Sequence, residues 1–197
     1  AVLADAMGLG KTMQAITALR LLLRSGEIRT ALLVCPKPLI HNWQHEFASW
    51  APEIPLLTVA GPQHRRNWLW RRDHHGVLLA NYETIVRDEQ IIDRAAHRFD
   101  LVVLDEAQRV KNPHSATAQS CRALRRRRSW ALTGTPIENR LEDLVGIFDF
   151  LAPGRITAAM KPRRVAREIS DYILRRTKDQ VLDDLPPKLF RDPELDL

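Results

Sequence analysis

Long apolar runs are missing from these 197 residues. A membrane-spanning helix needs about 18 or more consecutive apolar residues, and Leu21-Leu22-Leu23 is closed on both sides by Arg20 and Arg24. Nor do Ala1 to Thr12 have the pattern of a secretory leader, since they hold Asp5 and a glycine-rich turn. Cysteine is scarce. Cys35 and Cys121 cannot build a disulfide framework, which points to a reducing, cytoplasmic setting. Without CxxC spacing, both read as core residues. Lysine is scarce as well, with 6 against 24 arginines in a chain of net charge +6. Guanidinium forks suit phosphate, so a nucleic-acid partner is one reading of that bias and a GC-rich genome is the other. Internal repeats and low-complexity tracts are absent. With 45% apolar and 27% charged residues, the composition is that of an ordinary globular chain. Its length predicts one domain, with room for an appendage.

Short apolar, β-branched runs alternate with helical patterns. Strands are expected at 1–4, 31–35, 55–60, 77–80, 101–104 and 129–132, and helices at 11–24, 39–50, 84–96, 115–125 and 141–151. The Arg/Trp-rich stretch between them has no clear periodicity. Leu101-Val102-Val103-Leu104 has no polar residue and belongs in the middle of a sheet. Strands apolar throughout and separated by helices predict a three-layer α/β fold with a mostly parallel sheet. Pro153-Gly154 breaks the pattern, and basic helical turns then run to Leu185. Residues 1–152 are therefore expected to form the main domain, and 153–197 a short helical C-terminal extension. The sequence starts inside an apolar run and stops without a closing helix, so it reads as a piece of a longer protein.

Asp5-Ala6-Met7-Gly8-Leu9-Gly10-Lys11-Thr12 stands between a strand and a helix. Such a loop folds tightly through its glycines and turns its N–H groups toward an anion, while the helix N-terminus adds positive potential. Gly8, Leu9, Gly10, Lys11, Thr12 and Met13 are the expected nucleotide-binding set. Lys11 would offset β/γ-phosphate charge and Thr12 would place its hydroxyl on Mg2+. Asp105-Glu106 closes the apolar strand at 101–104. From the carboxyl end of a central strand, Asp105 would hold hydrated Mg2+, and Glu106 would orient and deprotonate an attacking water. Together these segments predict NTP hydrolysis.

Several segments, in order, resemble the Swi/Snf-type ATPases of helicase superfamily two. Leu3 to Thr12 looks like motif I, and Val34-Cys35-Pro36-Lys37-Pro38-Leu39 with Asn42-Trp43 and Glu46-Phe47 like motif Ia. Asn81-Tyr82-Glu83-Thr84 resembles motif Ib, and Asp105-Glu106-Ala107-Gln108 with Lys111-Asn112 resembles motif II. Leu132 to Asn139 is similar to motif III, while 173–178 and Leu185-Pro186-Pro187-Lys188 resemble the run leaving the first lobe. The resemblance implies a RecA-like P-loop fold and the first lobe of a translocase. Such enzymes use ATP hydrolysis to move on double-stranded DNA and remodel nucleoprotein complexes. It also implies DNA contacts by Lys37, Tyr82 and Thr84, coupling through Thr133, Gly134 and Thr135, and a catalytic place for Gln108 beside Glu106, Lys11 and Asp105. Ala6 stands where the family usually has Glu, and Gln108 where many members have His. The Gln form looks more like bacterial or archaeal members, for which the location would be cytoplasmic and nucleoid-associated.

By the same resemblance, the adenine-reading segment lies before Ala1 and a second RecA-like lobe supplies an arginine to the γ-phosphate. The isolated fragment is then expected to be nearly inactive. The rival functions are another superfamily-two motor lobe (RNA helicase or restriction-type translocase) and a non-catalytic nucleotide-binding module. Thr133-Gly134-Thr135-Pro136 speaks against the RNA-unwinding relatives, which usually carry Ser-Ala-Thr. Lys11, Thr12, Asp105 and Glu106 are all present, which speaks against the module. His41 and His45 have metal-ligand spacing but no third partner, so they read as a solvated helix face. Arg125 to Arg128 reads as a solvated turn.

Overall fold

The computed structural model describes residues 1–95, 99–134 and 141–181. Strands and helices alternate as β1 (Val2–Leu3), α1 (Lys11–Arg24), β2 (Thr30–Cys35), α2 (Ile40–Trp50), β3 (Leu56–Thr58), α3 (Gln63–Arg71), β4 (Gly76–Asn81) and α4 (Tyr82–Arg94). There follow β5 (Phe99–Asp105), α5 (Ala116–Ala123), β6 (Arg126–Leu132), α6 (Leu141–Leu151), α7 (Pro162–Ile169), β7 (Ile173–Leu174) and α8 (Lys178–Val181). Among the described residues the seven strands form one sheet in the order β3-β4-β2-β5-β6-β1-β7, and every pair is parallel.

Helix α1 shows how local chemistry sets an element. Gly10 caps its start in the left-handed region (φ 72°), and Ala15, Ile16 and Leu19 form its inward stripe. At its end the Ser25 N–H donates to the Leu21 carbonyl, and Gly26 (φ 71°) turns the chain away. Strand β5 shows why the sheet is central. Leu101 and Val103 face the side covered by Ile16, Leu19, Trp43 and Phe47, whereas Val102 and Leu104 face Trp70, Tyr82, Phe148 and Phe150. Alternate residues of a strand point to opposite faces, so a strand buried on both sides has to be apolar throughout.

Three segments differ from their sequence pattern. The Arg/Trp-rich stretch is α3, with Arg66 and Trp70 buried and Trp68 exposed. The arginine run is not a solvated turn, because Arg126 begins β6. Its Nη1 donates to the carbonyls of Arg122 (3.0 Å) and Leu124 (2.7 Å), closing the end of α5, and its guanidinium lies over the Phe150 ring at 4.1 Å. Burial lowers its pKa to about 10. Arg125 pairs with Asp93 and Arg128 with Glu27. Finally, 173–174 is a strand rather than part of a helical run, since pairing with β1 satisfies its backbone. Two residues are too short to leave a periodic signal.

Candidate nucleotide site

Register brings the carboxyl ends of the middle strands to one edge. Leu3 and Asp105 both lie opposite Leu132, Leu104 lies opposite Val34, and Cys35 opposite Asn81. The segments that follow β1, β6, β5, β2 and β4 therefore emerge side by side, although they are scattered over the sequence. In open α/β sheets this is the edge that binds ligands.

The glycine loop leaves β1 with Gly8 (φ 90°) and Gly10 (φ 72°) in conformations that a side chain would strain. No acidic residue occupies the first turn of α1, and Gly10 provides no capping side chain, so nothing there competes with a bound anion for the helix N–H groups. The Lys11 ammonium donates to the main-chain carbonyls of Asp5 (2.8 Å) and Ala6 (3.3 Å). It lies 3.5 Å from where a Cβ on Gly134 would sit. Leu9 and Thr12 are half-buried in and after the loop, and Met13 is exposed beside Gly10.

Asp105 ends β5. Its Oδ2 accepts a hydrogen bond from Trp43 Nε1 (2.8 Å), and its carbonyl accepts one from the Tyr82 hydroxyl (2.7 Å). Burial raises its pKa, a shift that the Glu106 charge reinforces and that Trp43 and Lys11 oppose. Glu106 is the one non-glycine residue at positive φ among those described (φ 52°). Such backbone strain gathers at functional sites. Its N–H donates to Asp105 Oδ1 at 3.0 Å. Gln108 Nε2 donates to Glu106 Oε2 at 2.6 Å, and Gln108 Oε1 accepts from Thr133 Oγ1 at 2.9 Å. One amide thus links the acidic pair after β5 to the segment after β6, using the donor and the acceptor that the Gln108 side chain carries together.

The other expected residues divide. Lys37 is exposed on the short turn that leads into α2. Tyr82 and Thr84 are 1% and 6% exposed, so both side chains are buried and only the backbone of this segment is left to meet a phosphate. Tyr82 instead supports Asp105, and Thr84 lies in the first turn of α4, its N–H donating to the Asn81 cap. Thr135, 136–139 and 185–188 lie outside the described residues. Trp43 and Tyr82 as supports of Asp105, and Arg176 and Gln14 as partners of Asp5, have no role in the sequence reading. Trp43 sits inside a recognised motif, but nothing local tells an indole N–H which carboxylate it will meet. Cys35 and Cys121 are buried, and burial pushes both thiols up to about 12. His41 and His45 are exposed, and no group of three metal-ligating side chains occurs among the described residues. No described helix is long and apolar enough to cross a membrane.

Comparisons place this geometry. An "Uncharacterized ATP-dependent helicase" of Mycoplasma pneumoniae is 35% identical over 210 residues, covering all of this chain and 20% of its own length. The ISWI chromatin-remodeling complex ATPase of Saccharomyces cerevisiae is 35% identical over 157 residues, covering 77% of this chain and 14% of its own. The chain thus spans a fifth or less of these relatives. The Sulfolobus solfataricus SWI2/SNF2 ATPase core, solved in complex with dsDNA, aligns with a TM-score of 0.79 at 30% identity over 94% of this chain and 42% of that one. The RecA-like α/β architecture is therefore shared with that core. A model of the SNF2-related domain matches residues 1–161, and the chain belongs to that family.

Proposed function

We propose that this chain is the first ATP-binding lobe of a DNA-dependent ATPase that moves on double-stranded DNA and remodels nucleoprotein complexes. The observation that carries this reading is the hydrogen-bonded line Glu106–Gln108–Thr133 beside Lys11, at the carboxyl edge of the sheet. In this reading residues 1–152 are the lobe and 153–197 lead toward a second one. The relatives' names, and the duplex DNA in the archaeal structure, support the nucleic-acid half.

The residues fit a magnesium nucleotide. The loop N–H groups and the start of α1 receive phosphate oxygens, and the Lys11 ammonium, which rests on the Asp5 and Ala6 carbonyls, moves onto β/γ-phosphate charge. Thr12 and Asp105 would hold Mg2+, which supplies further positive charge against the phosphates when bound. Glu106 takes the proton from the attacking water. Gln108 fixes the Glu106 carboxylate and passes its position to Thr133. Gly134 and Thr135 continue that coupling segment. Lys37 meets the DNA backbone without reading bases, which makes binding sequence-independent. Work on chromosomal DNA suits a cytoplasmic location, on the nucleoid if the source is bacterial.

The test measures ATP binding and hydrolysis in the protein at its natural length, with duplex DNA, RNA or no polymer. Lys11→Ala is expected to slow hydrolysis by roughly a hundredfold or more, because phosphate charge loses its fixed partner. Glu106→Gln should keep ATP binding and block turnover; hydrolysis at the parental rate removes Glu106 as the base. Stimulation by RNA rather than duplex DNA would point to the RNA-helicase reading. Lys37→Ala should flatten the salt dependence of DNA binding by about one unit, and an unchanged slope places the DNA path elsewhere.

A further inference from the structure

Residues 173–178 return to the base of the phosphate loop. The Ala4 N–H donates to the Leu174 carbonyl (2.8 Å) and the Ala6 N–H to the Arg176 carbonyl (3.0 Å), extending the β1–β7 ladder into the loop itself. There Asp5 is 0% exposed. Arg176 Nε donates to both of its carboxylate oxygens (3.2 and 3.1 Å), Nη2 donates to Oδ2, and the Arg176 main-chain N–H donates to Oδ1 at 2.9 Å. The same Nη2 donates to Gln14 Oε1 at 2.6 Å. Gln14 Nε2 in turn donates to the Leu9 carbonyl (2.8 Å) and to Asp5 Oδ2 (3.3 Å). Both ends of the loop therefore hang on one guanidinium. Two residues further on, the Lys178 ammonium lies 3.5 Å from where a Cβ on Gly8 would sit.

We propose that Arg176 is a positioning residue of the nucleotide site, which neutralises Asp5 and braces Gln14 so that the loop keeps its shape and Lys11 stays available to phosphate. The physical reason is competition for Lys11. Its ammonium already rests on the Asp5 main-chain carbonyl. A buried carboxylate without a counter-charge attracts the next available cation strongly, because little water screens it. With Arg176 in place, the negative charge at the base of the loop is matched before nucleotide arrives.

This inference rests on the loop being the ATP site, and the experiment separates the two. AMP-PNP binding, ATPase kcat and KM, and melting temperature are measured for Arg176→Gln, Arg176→Lys, Asp5→Asn and the Asp5→Asn/Arg176→Gln double variant of the natural-length protein. Arg176→Gln is expected to weaken AMP-PNP binding by about tenfold or more, because it leaves the buried Asp5 carboxylate without its counter-charge. The double variant should recover most of that affinity, because the stranded charge is gone. Arg176→Lys, which keeps the charge and loses the fork, should raise KM at a near-parental melting temperature. Parental affinity in Arg176→Gln overturns the proposal. So does a loss of binding that only follows a loss of thermal stability and that the double variant does not recover. Where Arg176→Gln does not fold, an unchanged KM in Arg176→Lys overturns it. Parental AMP-PNP affinity in Lys11→Ala would instead remove the ATP-site reading and this inference with it.

Discussion

A carboxylate can be buried only if donors replace the water it loses, and Asp88 has three. It is 1% exposed and accepts from Arg66 Nε (2.8 Å), Arg66 Nη2 (2.9 Å) and Trp70 Nε1 (2.8 Å). Burial pushes its pKa up, but the hydrogen bonds from Arg66 and Trp70, with the Arg66 charge, more than offset that and hold it below the ordinary value. A lowered folded-state pKa means stability that is present above the unfolded value, about 3.9, and lost as pH falls through the folded one. Asp88→Asn is therefore expected to cost about 3–5 kcal/mol at pH 7, because Arg66 is left buried without its charge partner. It should also shrink the fall in stability as pH drops below about 4. Asp5 and Asp100 are shifted in the same direction, so part of the acid limb remains. Denaturant unfolding at several pH values checks both; an unchanged acid limb would show that Asp88 carries little of it. At this scale the sequence was partly legible. Lys11, Asp105 and Glu106 are marked as site candidates by their neighbours along the chain, whereas the Arg66–Asp88 pair spans two helices and no local pattern marks it.

Elements in this chain are positioned by close approaches as much as by periodicity. Helix α6 rests on the backbone that follows the acidic pair. A Cβ added to Gly146 would lie 1.9 Å from the Lys111 carbonyl oxygen. Alanine favours helix over glycine by about 1 kcal/mol in isolation, but here it must push α6 off that backbone. Gly146→Ala is expected to destabilise by about 1–3 kcal/mol, as overpacked sites do, and thermal unfolding reads the difference. A variant more stable than the parent would mean that propensity outweighs the contact. The same contrast explains the arginine run: four charges in a row read as a solvated turn, yet the end of α5 offers carbonyls that Arg126 satisfies. Tertiary partners decided what a local count could not.

The whole molecule is a sheet with one working edge. Five chain-distant segments leave it together because all seven described strands run the same way. The chain covers 42% of the archaeal ATPase-core chain, and in the proposed reading the nucleotide of this lobe faces a second one. We expect the isolated 197-residue chain to fold, since both faces of its central strands are already covered. It should bind Mg–nucleotide weakly and turn over almost none, because an arginine supplied across such a site contributes about a thousandfold or more. Duplex DNA should not stimulate it. Single-turnover assays with and without duplex DNA test this, and robust DNA-stimulated turnover would overturn the one-lobe reading.

Sequence by itself determined the layered fold and the segments that make up the candidate phosphate site. Strands such as 101–104 are apolar on both faces, and the glycine loop, Lys11 and the Asp105–Glu106 pair each sit within a few residues of the element that aims them. Such short-range relations survive as spacing. Tertiary structure alone decided the strand order, the burial of Tyr82 and Thr84, the support of Asp105 by Trp43, and the Arg176 clamp on Asp5. These join residues up to 171 positions apart, and a hydrogen bond between distant residues depends on where the sheet brings their backbones, which no local spacing encodes.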